Sequence, residues 1–212
     1  MSRGTTRREL IPGPAGSIEC AVDTPAGPVR GLALVAHPHP LYGGTLDNKV
    51  VQTLARSLAE LGYLVLRPNF RGVGASEGAF DGGRGECDDL LATLDYAGRE
   101  FGALHPASPP VLAGFSFGAA VQTRVADRLA FAEAAPGRML LVGVAVKHFE
   151  ARPVPRDSIV IHGERDETVL LADVLDWARP QDLPITVVPG ADHFFHRRLH
   201  VLRGIVQCNW QR

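Results

Sequence analysis

Short, uninterrupted apolar segments alternate with longer amphipathic segments from residue 31 to the end of the 212-residue chain. Continuous apolar runs are typical of parallel strands buried on both faces, and apolar residues that recur every three or four positions indicate helices. This alternation, without a repeat or a linker, predicts an α/β domain with a mostly parallel sheet and right-handed crossovers. The predicted strands are residues 31–36, 63–68, 110–114, 139–146, 158–163 and 185–189, and the predicted helices are about 47–61, 86–101, one ending near 131, 169–178 and a closing helix to 210.

The first thirty residues have a different pattern. Residues 1–9 are polar and are expected to be frayed. Residues 17–22 alternate as a half-exposed strand does, and residues 23–28 carry the Pro and Gly of a turn. These segments predict an antiparallel entry to the sheet, so that residues 1–212 form a single domain.

A strand, a sharp turn and a helix are predicted around Ser116. The apolar run 111–115 leads into Gly114-Phe-Ser116-Phe-Gly118, and an Ala-rich segment follows. This is the context that the Gly-x-Ser-x-Gly nucleophile elbow requires. Gly114 and Gly118 flank the turn because a Cβ there would collide with the neighbouring strand or helix. Ser116 would lie at a helix N-terminus, which favours developing negative charge. The alternative is a plain strand-to-helix turn.

A carboxylate and an imidazole are expected at the same edge of the sheet, because ligands bind outside the carboxyl ends of parallel strands. Asp166 follows strand 158–163 and His193 follows strand 185–189, which gives the chain order Ser, Asp, His of α/β-hydrolases. His193 would take the proton of Ser116, and Asp166 would hold the imidazole tautomer. The competing acids are Glu164, Glu167, Asp173 and Asp192, and the competing bases, expected in the following helix, are His196 and His200.

Two backbone N–H groups are expected to form an oxyanion hole. One is that of Phe117, directly after the nucleophile. The other comes from the His-Pro-His-Pro loop after residue 36, where His39 or Leu41 must supply it because Pro38 and Pro40 have no N–H. Tyr42, Phe70 and Arg71 are the expected substrate-binding residues, although Arg71 could instead pin its loop.

Three other motifs give weaker indications of function. The Gly-rich segment 69–78 lacks the Lys-Ser/Thr of a P-loop, and no helix opens directly behind it. His37, His39 and His162 could suggest a metal site, but no acidic partner or ligand spacing supports one, and His37 is better explained as hydrogen-bonded within its loop. The acidic neighbours of Cys87 should raise its thiol pKa, which argues against a cysteine nucleophile.

Composition narrows the possible partners. The net charge is −1, with 45% hydrophobic and 21% charged residues, so nothing indicates nucleic acid. No apolar run reaches the roughly 18 residues that span a bilayer, and the start has no apolar signal region. Three widely spaced cysteines favour a reducing, cytoplasmic setting without disulfides. We expect a monomer or homodimer that needs no cofactor or metal and does not bind membranes.

Together these motifs resemble the α/β-hydrolase superfamily, and more narrowly the small bacterial serine hydrolases of dienelactone-hydrolase-like type. The resemblance covers about residues 8–208 and implies an eight-stranded sheet with flanking helices and a catalytic triad of Ser116, Asp166 and His193. Dienelactone hydrolases proper use a Cys nucleophile, whereas position 116 is Ser. The matching segments are 37–44, 69–78, 114–118, 162–166 and 190–195.

The resulting hypothesis is a serine hydrolase of carboxylic esters. Only a dozen residues separate Val146 from Ser158, too few for the helical cap of many lipases. An open site should favour small or exposed soluble acyl groups. The alternatives are amide, thioester or peptide hydrolysis with the same triad, and a non-catalytic binding protein with this fold.

Overall fold

The computed structural model describes residues 4–102, 108–132 and 137–210. Within these ranges, strands and helices alternate from residue 31 onward, except that no helix separates the strands at 139–142 and 159–163. The strands are β1 (Thr5–Gly13), β2 (Gly16–Thr24), β3 (Gly31–Ala36), β4 (Tyr63–Pro68), β5 (Val111–Phe115), β6 (Met139–Val142), β7 (Ile159–Gly163) and β8 (Ile185–Val188). The helices are α1 (Lys49–Glu60), α2 (Arg84–Phe101), α3 (Phe117–Phe131), α4 (Leu171–Ala178) and α5 (Leu199–Trp210), with 3-10 turns at Pro40–Tyr42 and Arg179–Gln181.

The strands form one eight-stranded sheet in the order β1-β2-β4-β3-β5-β6-β7-β8. Strands β3 to β8 pair in parallel, and β2 pairs antiparallel with both β1 and β4. This confirms the predicted α/β-hydrolase fold with a mostly parallel sheet and an antiparallel entry. All parallel strands point their carboxyl ends to one edge, where the candidate site lies.

The sheet separates two layers of apolar side chains. Strand β3 shows how, because Leu32 and Leu34 face one layer while Ala33 and Val35 face the other. Helices α2, α3 and α4 cover the first layer, and α1 and α5 cover the second. Because helices cover both faces of the sheet, the central strands are continuous apolar runs.

The N-terminal segment is ordered from residue 5, and the expectation that residues 1–9 are frayed is wrong for Thr5–Glu9. Strand β1 pairs along its whole length with β2, from Thr5 opposite Thr24 to Gly13 opposite Gly16. Its charged side chains form ion pairs with the neighbouring strand β2, as Arg8 does with Glu19 at 3.1 Å. A polar edge strand can therefore be stable without an apolar pattern. Residues 1–3 lie outside the described ranges.

Strand β6 is shorter than the predicted 139–146. It ends at Val142 because Gly143 adopts a positive φ of 54°. The following turn lies beneath Ser116, whose N–H donates to the Val142 carbonyl at 2.9 Å and whose carbonyl accepts from Ala145 N–H at 3.3 Å. The chain then runs without helix or strand from residue 143 to 158, so the site has no helical cap.

Across the described ranges, no helix is both long and apolar enough to cross a membrane.

Candidate active site

Ser116 occupies the sharp turn between β5 and α3. Its backbone has φ 55° and ψ −117°, which is a strained conformation for a residue other than glycine. A Cβ on Gly114 would lie 2.6 Å from the Ala119 nitrogen, and one on Gly118 would lie 2.6 Å from the Ala36 carbonyl. Both glycines are therefore required by close backbone approach, as the sequence predicts.

Ser116, His193 and Asp166 are in contact although they are far apart in the chain. The Ser116 Oγ atom lies 3.0 Å from His193 Nε2, and His193 Nδ1 lies 2.6 Å from Asp166 Oδ2. All three residues are buried, with 7%, 5% and 5% exposure. A carboxylate can only accept, so Nδ1 carries the proton and leaves Nε2 free to accept from the serine hydroxyl.

The turn after β7 holds Asp166 in place. Its Oδ1 atom accepts hydrogen bonds from the N–H groups of Thr168 and Val169, at 2.9 and 2.8 Å. Its other oxygen is thereby directed to His193. Helix α4 begins at Leu171, later than the predicted 169, since Val169 N–H serves this turn.

The competing acids have other partners or face solvent. Glu164 accepts from Gly190 N–H at 2.7 Å, Asp173 pairs with Lys147 at 3.5 Å, and Glu167 is exposed. Asp192 bonds to the His196 ring at 2.7 Å. None of these contacts involves His193.

The competing histidines lie on the surface. His196 is exposed in the turn before α5, not in the helix as expected, and His200 is exposed within α5. His193 instead packs its ring against the rings of Phe115 and Phe194, at centroid distances of 4.8 and 5.1 Å. Of these three histidines, only His193 has a nitrogen within hydrogen-bond distance of Ser116.

The loop after β3 is held by a buried histidine. His37 Nε2 accepts from Phe70 N–H at 2.9 Å, and its Nδ1–H donates to the Pro38 carbonyl at 2.7 Å. Burial lowers the pKa of His37 to about 4, so the ring is neutral at neutral pH. His37 is thus hydrogen-bonded within its loop, as expected, and links that loop to the end of β4.

Of the three candidate oxyanion donors, two have a backbone N–H group without an acceptor among the described residues. Leu41 N–H donates to His39 Nδ1 at 3.2 Å, so it is engaged within the loop. The backbone N–H groups of His39 and Phe117 donate to no acceptor among the described residues. The side chains of His39 and Phe117 are in contact, with ring centroids 5.0 Å apart. Of the two loop candidates, His39 is the one whose N–H is not engaged within the loop.

An aromatic cluster borders the candidate site. The His39 ring contacts Tyr42, Phe80 and Phe149 at centroid distances of 4.7, 4.8 and 5.3 Å. Tyr42 is 87% exposed and is free to contact a substrate. Phe80 and Phe149 could not be identified from the sequence as part of this cluster, because neither lies directly after a strand.

Two of the expected substrate-binding residues have structural roles. Phe70 is only 1% exposed and packs between His37 and Phe117, so it has little surface to offer a substrate. The Arg71 guanidinium forms a largely buried ion pair with Asp89 at 2.8 Å, and Arg71 N–H also donates to Asp89. Of the two alternatives for Arg71, the structure supports pinning of the loop.

The geometry of the described residues does not support the alternative hypotheses of a cysteine nucleophile or a metal site. Burial, more than its acidic neighbours, raises the pKa of the Cys87 thiol to about 11. Among the described residues, no group of three or more His, Cys, Asp or Glu side chains is placed to hold a metal ion.

Two large surface cavities lie on the described part of the chain. One surface cavity of about 870 Å³ lies among β1, β2 and α1, on another part of the molecule. A second, of about 830 Å³, lies between the start of α2, the second half of α3 and residues 148–152, and Phe80 borders it. Ser116 lines neither cavity, which agrees with an open site.

Comparison with known proteins supports this assignment of the fold. No family model matches the chain. An uncharacterized protein of Rickettsia prowazekii, RP471, is 35% identical over 197 residues, which cover 86% of this chain and 79% of that protein. XC6422 from Xanthomonas campestris, described as an a/b serine hydrolase without lid, is 38% identical with a TM-score of 0.86, over 98% of this chain and 94% of that one. An alpha-beta serine hydrolase homologue from Coxiella burnetii is 35% identical with a TM-score of 0.85, over 99% and 98%.

Proposed function

Because the chain belongs to the α/β-hydrolase superfamily, we propose that it hydrolyses carboxylic esters of small, soluble substrates through an acyl-enzyme on Ser116. The observation that carries this proposal is the pair of hydrogen bonds that joins Ser116 to His193 and His193 to Asp166. A serine hydroxyl is a weak nucleophile until an adjacent base takes its proton. His193 is placed to do so from its Nε2 atom.

In the first half-reaction, Ser116 Oγ attacks the ester carbonyl carbon while its proton passes to His193 Nε2. Asp166 then stabilises the imidazolium through Nδ1–H. The carbonyl oxygen becomes an oxyanion, which accepts hydrogen bonds from the N–H groups of Phe117 and His39. Each such donor contributes about 3–4 kcal/mol to transition-state stabilisation.

The tetrahedral intermediate collapses when the bond to the alcohol oxygen breaks. His193 gives its proton to that oxygen, the alcohol leaves, and the acyl group remains on Ser116. Water then attacks the acyl carbon, and His193 takes a proton from it as it attacks. The second collapse returns this proton to Ser116 Oγ and releases the carboxylic acid, so the enzyme ends as it began.

Exposed apolar side chains around the site support a substrate with an apolar acyl group. Leu41 and Tyr42 follow β3, Leu170 follows the Asp166 turn, and Phe194 follows His193; all four are exposed. These residues lie on the loops that carry the candidate oxyanion donor, the candidate acid and the candidate base. An acyl group lying against them would stay partly in water, as the absence of a helical cap between β6 and β7 requires.

Steady-state hydrolysis of p-nitrophenyl acetate and butyrate tests the proposal. We expect wild-type turnover at neutral pH and a loss of about 10³-fold or more in kcat with Ser116→Ala, since the nucleophile is removed. Ser158→Ala is the matched control, because Ser158 is equally buried and precedes β7 at the opposite end from the site. Absence of ester turnover in the wild type, or turnover that survives Ser116→Ala, would contradict the proposal. The first result would favour a binding protein.

A further inference from the structure

His162 is a fully buried histidine beside the candidate site that the proposed mechanism does not use. It lies near the end of β7, four residues before Asp166, with no exposed surface. Its Nε2 atom lies 3.0 Å from the carbonyl oxygen of Val169. A carbonyl can only accept, so Nε2 carries the hydrogen.

The same nitrogen also lies close to the carboxylate of Asp166. His162 Nε2 lies 3.6 Å from Asp166 Oδ2, the oxygen that accepts from His193. Val169 closes a ring of contacts, because its N–H donates to Asp166 Oδ1 while its carbonyl accepts from His162. His162 therefore bonds, from the end of β7, to the turn that carries Asp166.

The other nitrogen of His162 shows that packing alone does not explain this residue. His162 Nδ1 is buried and has no hydrogen-bond partner among the described residues. A buried polar atom without a partner costs free energy that an apolar side chain of similar size would not. Such a group is often found at a functional site.

The charge state of His162 is compatible with its position beside Asp166. Burial is the largest influence on the pKa of His162 and lowers it, although nearby Asp166 acts in the opposite direction. The neutral ring presents an N–H dipole to Asp166 without competing, as a second cation would, with the imidazolium that forms on His193.

We propose that His162 is a positioning residue for ester hydrolysis, which acts by holding the Asp166–Val169 turn through its Nε2–H. This inference rests on the proposed function. The group touches neither the substrate nor Ser116, so its effect must pass through the orientation of Asp166. Small displacements of a catalytic group are costly, with about a 100-fold loss for a shift of about 1 Å.

The test compares two substitutions at this position. His162→Leu removes the donor, and we expect kcat for p-nitrophenyl acetate to fall about 10- to 100-fold with little change in KM. His162→Gln keeps an N–H at similar reach, and we expect it to restore most of kcat. Ile161→Val is the stability control, because Ile161 is its buried neighbour on β7 and packs on the other face of the sheet.

A spectroscopic signature separates positioning from general destabilisation. The short bond between His193 Nδ1–H and Asp166 should give a proton resonance far downfield in NMR spectra. We expect wild type, Ile161→Val and His162→Gln to keep this resonance, and His162→Leu to lose or shift it.

Wild-type kcat in folded His162→Leu, or failure of His162→Gln to restore activity, would overturn the inference. If His162→Leu does not fold, ¹⁵N NMR spectra of the wild type test the inference through the protonation state of the His162 ring. A His162 ring that is charged at neutral pH, or that carries its hydrogen only on Nδ1, would overturn the inference. Ester turnover that survives Ser116→Ala would instead refute the proposed function, so the two failures are distinguishable.

Discussion

His193 Nδ1 lies 2.6 Å from Asp166 Oδ2, slightly shorter than the roughly 2.7–2.9 Å typical of N–H hydrogen bonds to a carboxylate. The carboxylate that accepts this bond is fully buried and accepts two more from backbone N–H groups. Water therefore has little access to Asp166, and the orientation of the His193 ring depends on this contact.

Asp166→Asn should preserve the fold and remove most of the activity. The amide can donate to Nδ1, which would place the histidine proton on Nε2 and leave no base for Ser116. We expect kcat for p-nitrophenyl acetate to fall by about 10²- to 10⁴-fold. Asp173→Asn is the control, since Asp173 is a nearby acid that pairs with Lys147, and it should leave kcat close to wild type. Equal losses in both variants would argue against the role of Asp166.

Gly118→Ala should damage the elbow. The added Cβ would collide with the Ala36 carbonyl, so either β3 or the start of α3 must move. We expect a loss of about 1–3 kcal/mol in the free energy of unfolding and a clear drop in kcat. Gly98→Ala, in the open part of α2, should instead stabilise the protein by about 0.5–1 kcal/mol. Urea unfolding of both variants measures this, and a Gly118→Ala protein as stable and active as wild type would contradict the close approach.

His37 should make stability depend on pH. Its pKa is about 4 in the fold and 6.5 when unperturbed, so the unfolded chain binds the proton first as pH falls. Stability is therefore lost between pH 6.5 and about pH 4, by about 3 kcal/mol for this group. Protonation also removes the acceptor for Phe70 N–H.

Urea unfolding of wild type and His37→Gln at pH 7 and pH 4.5 isolates this contribution. The variant should be less stable at pH 7, and its deficit should shrink at pH 4.5 because only in the wild type does the unfolded chain gain a proton at residue 37 that the folded protein does not bind. The exposed His148→Gln is the control and should show no such change. A deficit that stays constant with pH would exclude His37 as the source.

Tyr42 should contribute to recognition of longer acyl groups. Its ring is exposed and packs on His39, beside the candidate oxyanion donor. Tyr42→Ser should lower kcat/KM for p-nitrophenyl hexanoate relative to the acetate, by about tenfold if the ring covers part of the chain. Phe131→Ser changes an equally exposed ring at the far end of α3 and should leave the ratio unchanged. An unchanged ratio in Tyr42→Ser would remove Tyr42 from the substrate contacts.

The contact among Ser116, Asp166 and His193 could be predicted from the sequence because it depends on topology. Each residue follows a parallel strand of the sheet, and parallel strands bring their carboxyl ends to one edge. The continuous apolar runs that identify those strands also identify the fold, and their order along the chain orders the three side chains.

Features that depend on one distant partner were not predictable. The role of Arg71 is set by Asp89, which lies on α2 and not in the loop of Arg71. Phe70 follows β4 as a surface residue could, but it is buried against the His37 and Phe117 rings. The link from His162 to Val169 requires the exact path of a turn, which residue types and spacing do not give.

Labelling with a fluorophosphonate, which phosphonylates activated serines, tests the central claim most directly. After digestion and mass spectrometry, the wild-type protein should carry one adduct, on Ser116, and His193→Gln should be labelled far more slowly because Ser116 then has no proton acceptor. Absence of an adduct, or an adduct on another residue, would contradict the assignment of Ser116 as the nucleophile.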